Sequence, residues 1–199
     1  GDAAAGDGSD PKRTIVRTFE HLGLTWTLPP GGRKTLPPVK DDEPERVWEW
    51  GFLNVGNPAM KRGENGLVAA AALNFNGETL VRLELELPPA AADIDPAAIV
   101  RNERNFESLK NAFDGSPVPN VDVDTRVGNA RGAYFTWSGK GARSGKPYFV
   151  RFYFVTLQQQ LYRLLVIAED RAEQTEADFL RAATHGLAWA DASTGIRGP

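Results

Sequence analysis

The stretch GAYFTWSG at 132–139, followed by KPYFVRFYFVTLQQQLYRLLVIAED at 146–170, decides the fold. Residues 148–157 and 161–168 are aromatic and β-branched runs of strand length. They flank Gln158-Gln159-Gln160, and together they read as an antiparallel hairpin. GKGARSGK at 139–146 is the flexible turn leading into it from a further strand at 126–138. Strand alternation puts Tyr148, Phe152 and Phe154 on one side and Phe149, Arg151 and Tyr153 on the other. Both faces are therefore expected to be partly covered. Arg151 breaks an otherwise apolar surface and must reach a carboxylate or an edge. After the hairpin, Thr175 with Asp178 spells a capping box. It predicts a last helix from 176 to about 185 that buries Phe179, Leu180 and Ala183. Gly186 would end it as a C′ glycine, with Leu187 packing back.

Working upstream, residues 14–19 and 24–28 are short strand candidates, stopped by Pro29-Pro30-Gly31-Gly32, and the segment to Glu45 reads as loop. The run RVWEWGFLN at 46–54 is a strand with Trp48, Trp50 and Phe52 on one face. GLVAAAALN at 66–74 is ambiguous: four alanines favour helix, while the Asn76-Gly77 that follows is a hairpin signal. The partner at 79–87 alternates Val81, Leu83, Leu85 and Leu87 inward with Arg82, Glu84 and Glu86 outward. Asp95 as N-cap and Pro96 at the first helical position open a helix. Its stripe Ile99, Phe106, Leu109 and Phe113 predicts an extent to 113, where Asp114-Gly115-Ser116-Pro117 stops it. Residues 118–124 form a linker into the next strand.

The 199 residues, with 41% hydrophobic and 25% charged, suit one globular domain over 13–190. A disordered linker at 1–12 and a frayed tail at 191–199 flank it. A net charge of -3 argues against nucleic-acid binding, which needs a concentrated basic surface. The absence of cysteine removes disulfides, thiolate metal sites and cysteine nucleophiles. No apolar run reaches spanning length, so membrane insertion is not expected, although peripheral or tethered association through the N-terminus remains open. The polar run GDAAAGDGSD, with no methionine at Gly1, is what a removed signal peptide would leave ahead of a domain. A periplasmic or secreted location is expected, with a cytoplasmic one as the alternative.

Strands joined by tight turns, plus two helices, predict an α+β fold: an α/β/α sandwich on a mainly antiparallel central sheet. ARGAYFTWSG, a Gly-rich turn, a long aromatic strand, a strand ending in Ala-Glu and a helix carrying Phe-Leu resemble the Mog1/PsbP-like superfamily. LGLTWTLPPG at 22–31 is similar to that superfamily's extended strand and P-x-G-W stretch, with Arg33 where tryptophan stands in the pattern. The resemblance spans 14–188. It implies a non-enzymatic, partner-binding module, often exported in bacteria. The photosystem subunit and the Ran-binding factor of that superfamily contribute no motif that maps onto residues of this chain.

Candidate chemistry is sparse. Lys140, Arg143 and Lys146 cluster at one hairpin tip, where an anionic partner would meet them. GARSGK is not a phosphate loop: three residues rather than four separate its glycines, and a strand follows. Arg151 and Trp137 complete the candidate partner-binding set, exposed tryptophans being favoured contact residues. Asp122 and Asp124 share a side if that segment is extended, which is one way to hold a cation. Glu84 and Glu86 would need cationic partners under any covering layer. His21 and His185 read as surface or helix-end residues. No catalytic, cofactor-binding or metal site is expected. The expected partner is another protein, the alternatives being a small-ligand or metal binder and a hydrolase using paired carboxylates.

Overall fold

The computed structural model describes residues 14–89, 95–101, 114–117, 122–140, 145–169 and 184–190, with the backbone alone at 114–117 and 122–124. Among them, β1 (Ile15–Phe19) leads through a 3-10 turn (Glu20–Leu22) to β2 (Leu24–Leu28), β3 (Arg33–Leu36) and β4 (Arg46–Phe52). β5 (Gly66–Phe75) and β6 (Glu78–Leu87) precede α1 (Pro96–Arg101). β7 (Asp114–Pro117), β8 (Asp122–Val127), β9 (Ala130–Lys140), β10 (Pro147–Leu157), β11 (Gln160–Glu169) and β12 (Leu187–Trp189) follow.

These strands make two antiparallel sheets. The large one runs β3-β4-β5-β6-β11-β10-β9-β7, with β8 also paired to β9. The small one is β1-β2-β12, so strands from opposite ends of the chain lie side by side.

β5 shows why local propensity loses here. Val68, Ala69, Ala70, Ala71 and Ala72 are all buried, because β4 and β6 flank the strand and material covers both of its faces. Alanine prefers helix by a fraction of a kcal/mol, less than the packing and pairing available in the middle of a sheet. β6 alternates as its sequence demands: Val81, Leu83, Leu85 and Leu87 are buried and Arg82, Glu84 and Glu86 half-buried.

The small sheet covers one face of the large one. Leu24, Trp26 and Leu28 of β2 point inward with Phe19, Leu22, Leu187 and Trp189. Trp26 meets Phe52 of β4 edge to face, ring centroids 5.3 Å apart. On the opposite face α1 packs over β9 and β10, its Ile99 and Val100 joining Phe135, Trp137, Val150 and Phe152. The hairpin is thus covered on both sides, as its alternation requires. The layering is sheet on sheet on helix: a mixed α+β fold, not the symmetric α/β/α sandwich expected. The reason is β2, whose BiBiB burial pattern gives a short strand one fully apolar face that only a second layer can hide. The helical expectations for 102–113 and 176–183, and those for 1–12 and 191–199, lie outside the described residues.

Further elements depart from the sequence reading, among them residues 122–124, expected as the end of a linker and found in β8. Residues 33–36, expected as loop, pair with β4. Residues 114–117, expected only to stop a helix, form β7 at the margin of β9. Leu187, expected only to pack back after a C′ glycine, begins β12 and pairs with Trp26 of β2, and the Gly186 carbonyl accepts a hydrogen bond from Thr27 N–H at 2.9 Å. The strand expected from 126 is two strands, split at a Gly128-Asn129 turn.

That turn joins the two sheets. Asn129 Nδ2 donates to the Trp189 carbonyl at 3.0 Å, and its Oδ1 accepts from Trp189 N–H at 2.9 Å. One side chain therefore replaces both halves of a backbone pair at the end of β12. Asn129→Ala is expected to cost about 1–3 kcal/mol, two net hydrogen bonds' worth. Hydrogen exchange checks it, with the loss concentrated at 187–190.

The tight turns also differ in quality. Asn76-Gly77 takes positive φ at both positions, 48° and 81°, as a type I′ hairpin needs. Gln158-Gln159 takes the same shape, 45° and 62°, with no glycine to relieve it. Replacing Gln158-Gln159 by Asn-Gly is expected to stabilise the domain by about 1 kcal/mol, read from denaturant midpoints at constant m.

Candidate functional site

The candidate residues scatter. Lys140 ends β9 exposed, opposite Pro147, and Arg143 lies outside the described residues. Lys146 is half exposed between Glu78 (3.5 Å) and Glu169 (3.8 Å), a surface arrangement worth little by itself. Trp137 overturns its reading as a contact residue. It is 0% exposed beneath α1, and its indole N–H finds no acceptor among the described residues.

Arg151 sits half-buried on the face of β10 opposite α1, its guanidinium 5.0 Å from the centre of the Phe149 ring. Beside it Tyr153 packs against Tyr134, centroids 5.2 Å apart, across the β9–β10 ladder. Burial pushes the Tyr153 phenol above its ordinary value, and the charge and hydrogen bond of Arg151 offset part of that rise. A raised phenol pKa means that the folded state holds the proton more tightly. The associated stability is complete below the unfolded value near 10 and is lost as pH rises through the folded one. Stability is therefore expected to fall above about pH 10, and Tyr153→Phe to flatten that fall. Unfolding midpoints across an alkaline series, beside tyrosinate absorbance, measure both.

The paired carboxylates of β6 are committed. Arg82 Nε donates to Glu84 at 2.6 Å. Arg163 of β11 donates through Nε at 2.9 Å and through Nη2 to the same Glu86 oxygen. These half-buried ion pairs satisfy the face, as required of charges beneath neighbours. Among the described residues no group of three His, Cys, Asp or Glu side chains is placed to hold a metal ion. The side chains of Asp122 and Asp124 lie outside the described residues. His21 and His185 are exposed, in a 3-10 turn and just before β12. No helix among the described residues is long and apolar enough to cross a membrane.

What the structure does assemble is the border where the small sheet overlies β4. Trp48, Trp50 and Phe52 share one face, as the alternation of RVWEWGFLN predicts, and all are half-buried. Trp48 packs on Phe75 with centroids 4.4 Å apart. Trp50 donates its indole N–H to the Pro29 carbonyl at 2.9 Å, tying the end of β2 down. Arg17 of β1 places its guanidinium 4.9 Å from the centre of Phe52. Next to this pair a groove of about 310 Å³ runs between residues 17–19 and a loop made by Asn54, Val55, Gly56 and Pro58. Sequence reasoning marked the tryptophans but missed Arg17 and the loop, because a polar loop carries no periodicity. The available signal was an arginine inside a strand that otherwise reads as Ile, Val, Thr and Phe.

No family model and no curated protein matches the chain. Among solved structures it is similar to LpqN, involved in cell envelope biogenesis of Mycobacterium tuberculosis. The identity is 16% and the TM-score 0.37, over 90% of this chain and 85% of that one. It is also similar to the Ran-binding protein Mog1p of Saccharomyces cerevisiae, at 11% identity and a TM-score of 0.41, over 92% and 98% of the two chains. Both likenesses are distant ones.

Proposed function

We propose that this protein is a non-catalytic protein-binding or assembly module working outside the cytoplasm. The observation that supports it is the aromatic border. Trp48, Trp50, Phe52 and Phe75 are large aromatic side chains left half-covered where two sheets meet, and such side chains dominate protein contacts once a partner excludes water. The basic tip with Lys140, Arg143 and Lys146 supplies a second, electrostatic contact in this reading, and Arg151 a third. The ion-paired state of Glu84 and Glu86 weighs against a hydrolase built on those carboxylates.

A photo-crosslinking amino acid at position 48, in cells of the native source, tests the binding reading. A discrete protein adduct at 48, absent from a control with the group at Arg126, is the expected result. Equal labelling at both positions, or none at 48, overturns it. Fractionation of the native full-length protein tests location, and recovery with cytoplasmic markers would reject export.

A further inference from the structure

We infer that β1 is a docking edge for an extended, acidic peptide segment of a partner protein, added as a fourth strand to the small sheet. The inference rests on the protein-binding reading above and names where and how a partner would attach.

Among the described residues β1 is the outer strand of its sheet, with β2 on one side only. An outer strand presents every second N–H and C=O away from its neighbour, as a template for another chain. The groove lies along this margin. It touches residues 17, 18 and 19 in succession. Successive side chains of a strand point to opposite faces, so a groove that meets three in a row follows the backbone edge. Its far wall is equally continuous over residues 54–56.

That wall is fixed in place. Leu53 N–H bonds the Ala70 carbonyl at 2.7 Å and Asn57 N–H the Leu67 carbonyl at 2.9 Å. Asn57 Oδ1 accepts from Ala59 N–H at 3.1 Å. Gly56 lies so close to β5 that a β-carbon there would stand 2.5 Å from the Val68 carbonyl oxygen, at a φ of +93°. The groove is thus preformed, which lowers the ordering cost of binding.

The side chains select the ligand. Ile15, Arg17 and Phe19 point toward the large sheet, and Val16 and Thr18 point outward. Among the described residues, no carboxylate lies in ion-pair contact with the Arg17 guanidinium, which rests on the Phe52 ring at the groove. Val16 is 48% exposed beside the edge and Val55 41% exposed on the wall. An incoming strand places one residue opposite Arg17 and its neighbour opposite Val16, and opposed pairs on one face are the unit of sheet stabilisation. An Asp or Glu opposite Arg17 supplies the missing countercharge, and a Val, Ile or Thr opposite Val16 covers the exposed valine. The recognised chemistry is therefore an acidic residue next to a β-branched one in an extended segment, held by main-chain hydrogen bonds.

The test uses the full chain and three blocked peptides: Val-Glu-Val-Thr-Val-Glu, the same with Lys for Glu, and the same with alternate backbone nitrogens methylated. Amide chemical shifts and hydrogen exchange are followed by NMR. The acidic peptide is expected to shift and protect amides at 15–19 and to shift those at 54–58. Arg17→Gln is expected to weaken it roughly tenfold, one charge-assisted contact. The lysine and methylated peptides should fail. Arg17→Lys, which keeps the charge, should retain most of the binding and guards against a folding defect in the glutamine variant. Equal binding of acidic and basic peptides, unaffected binding of the methylated one, or shifts mapping away from β1 would each overturn the inference. So would amides at 15–19 already protected in the free chain by its own residues 1–13. If the peptides fail while the crosslink at 48 persists, β1 docking falls and the protein-binding reading stands.

Discussion

Gly128→Ala is expected to lower stability by about 3 kcal/mol and the melting temperature by roughly 10 °C, a large effect for one methyl group. Two causes add. Gly128 is the first residue of the β8–β9 turn and holds a φ of +61°, a conformation that costs an L-residue about 1–2 kcal/mol. The added methyl would also overlap the carbonyl of Leu187, because the turn abuts the backbone of β12. That backbone has nowhere to retreat, since Leu187 is paired with Trp26 and the next residues are held by Asn129. The expected result is a domain whose last strand has come away, with amides at 187–189 exchanging freely in differential exchange experiments. Gly51→Ala is the control. It adds the same methyl within β4, where nothing lies within 4 Å, and should be neutral or slightly stabilising. An unchanged melting temperature for Gly128→Ala would show that the turn yields instead.

Trp26→Ala is expected to cost about 3–5 kcal/mol, the range for emptying a large aromatic site in a core. Trp26 is completely buried, meets Phe52 edge to face and pairs on both sides, with Arg17 of β1 and Leu187 of β12. It is the central side chain of the small sheet and its main anchor on the large one. Removing it attacks the contact between layers while sparing the ladder of β5, β6, β11, β10 and β9. The variant should therefore lose its single cooperative transition. Tryptophan fluorescence, to which Trp48, Trp50 and Trp189 at the sheet interface contribute alongside Trp137 under α1, is expected to begin changing at lower denaturant than far-ultraviolet dichroism, reporting the large sheet. Coincident transitions would mean that the two sheets unfold as one unit. Trp26→Phe, keeping most of the volume, should recover the greater part of the loss.

The parts of this fold that were legible in the sequence are those where one residue type repeats on one face. β6, β9, β10 and β11 could be read because alternation and burial agree along ten or eleven residues. The Asn76-Gly77 turn was legible because glycine and asparagine tolerate positive φ, and it argued for strand in the alanine-rich run beside it, which composition left ambiguous. What was hidden depends on partners distant in sequence. Three residues at 187–189 have no strand signature of their own, and they are a strand only because β2 offers an open side. Residues 33–36 read as loop between prolines until β4 is there to pair with them. The candidate site follows the same rule. The face of Trp48 and Trp50 could be read from alternation, but which tryptophans would be buried could not. Trp137 disappears under α1, while Trp48 and Trp50 are left half-covered at the border.

The placement of β12 beside β2 has a consequence for how the chain reaches its native state. β1 and β2 are synthesised before the other described strands, yet the strand that completes their sheet is the last of them. Until residues 187–189 are available, β2 has a bare edge and the inward row of Leu24, Trp26 and Leu28 is incompletely sheltered. Closing so long a loop adds entropy that only the final contacts repay, which makes the step late and slow. The domain is a latch whose tongue is made last, and a truncation just short of Leu187 should leave a sticky, protease-sensitive chain, not a slightly smaller domain.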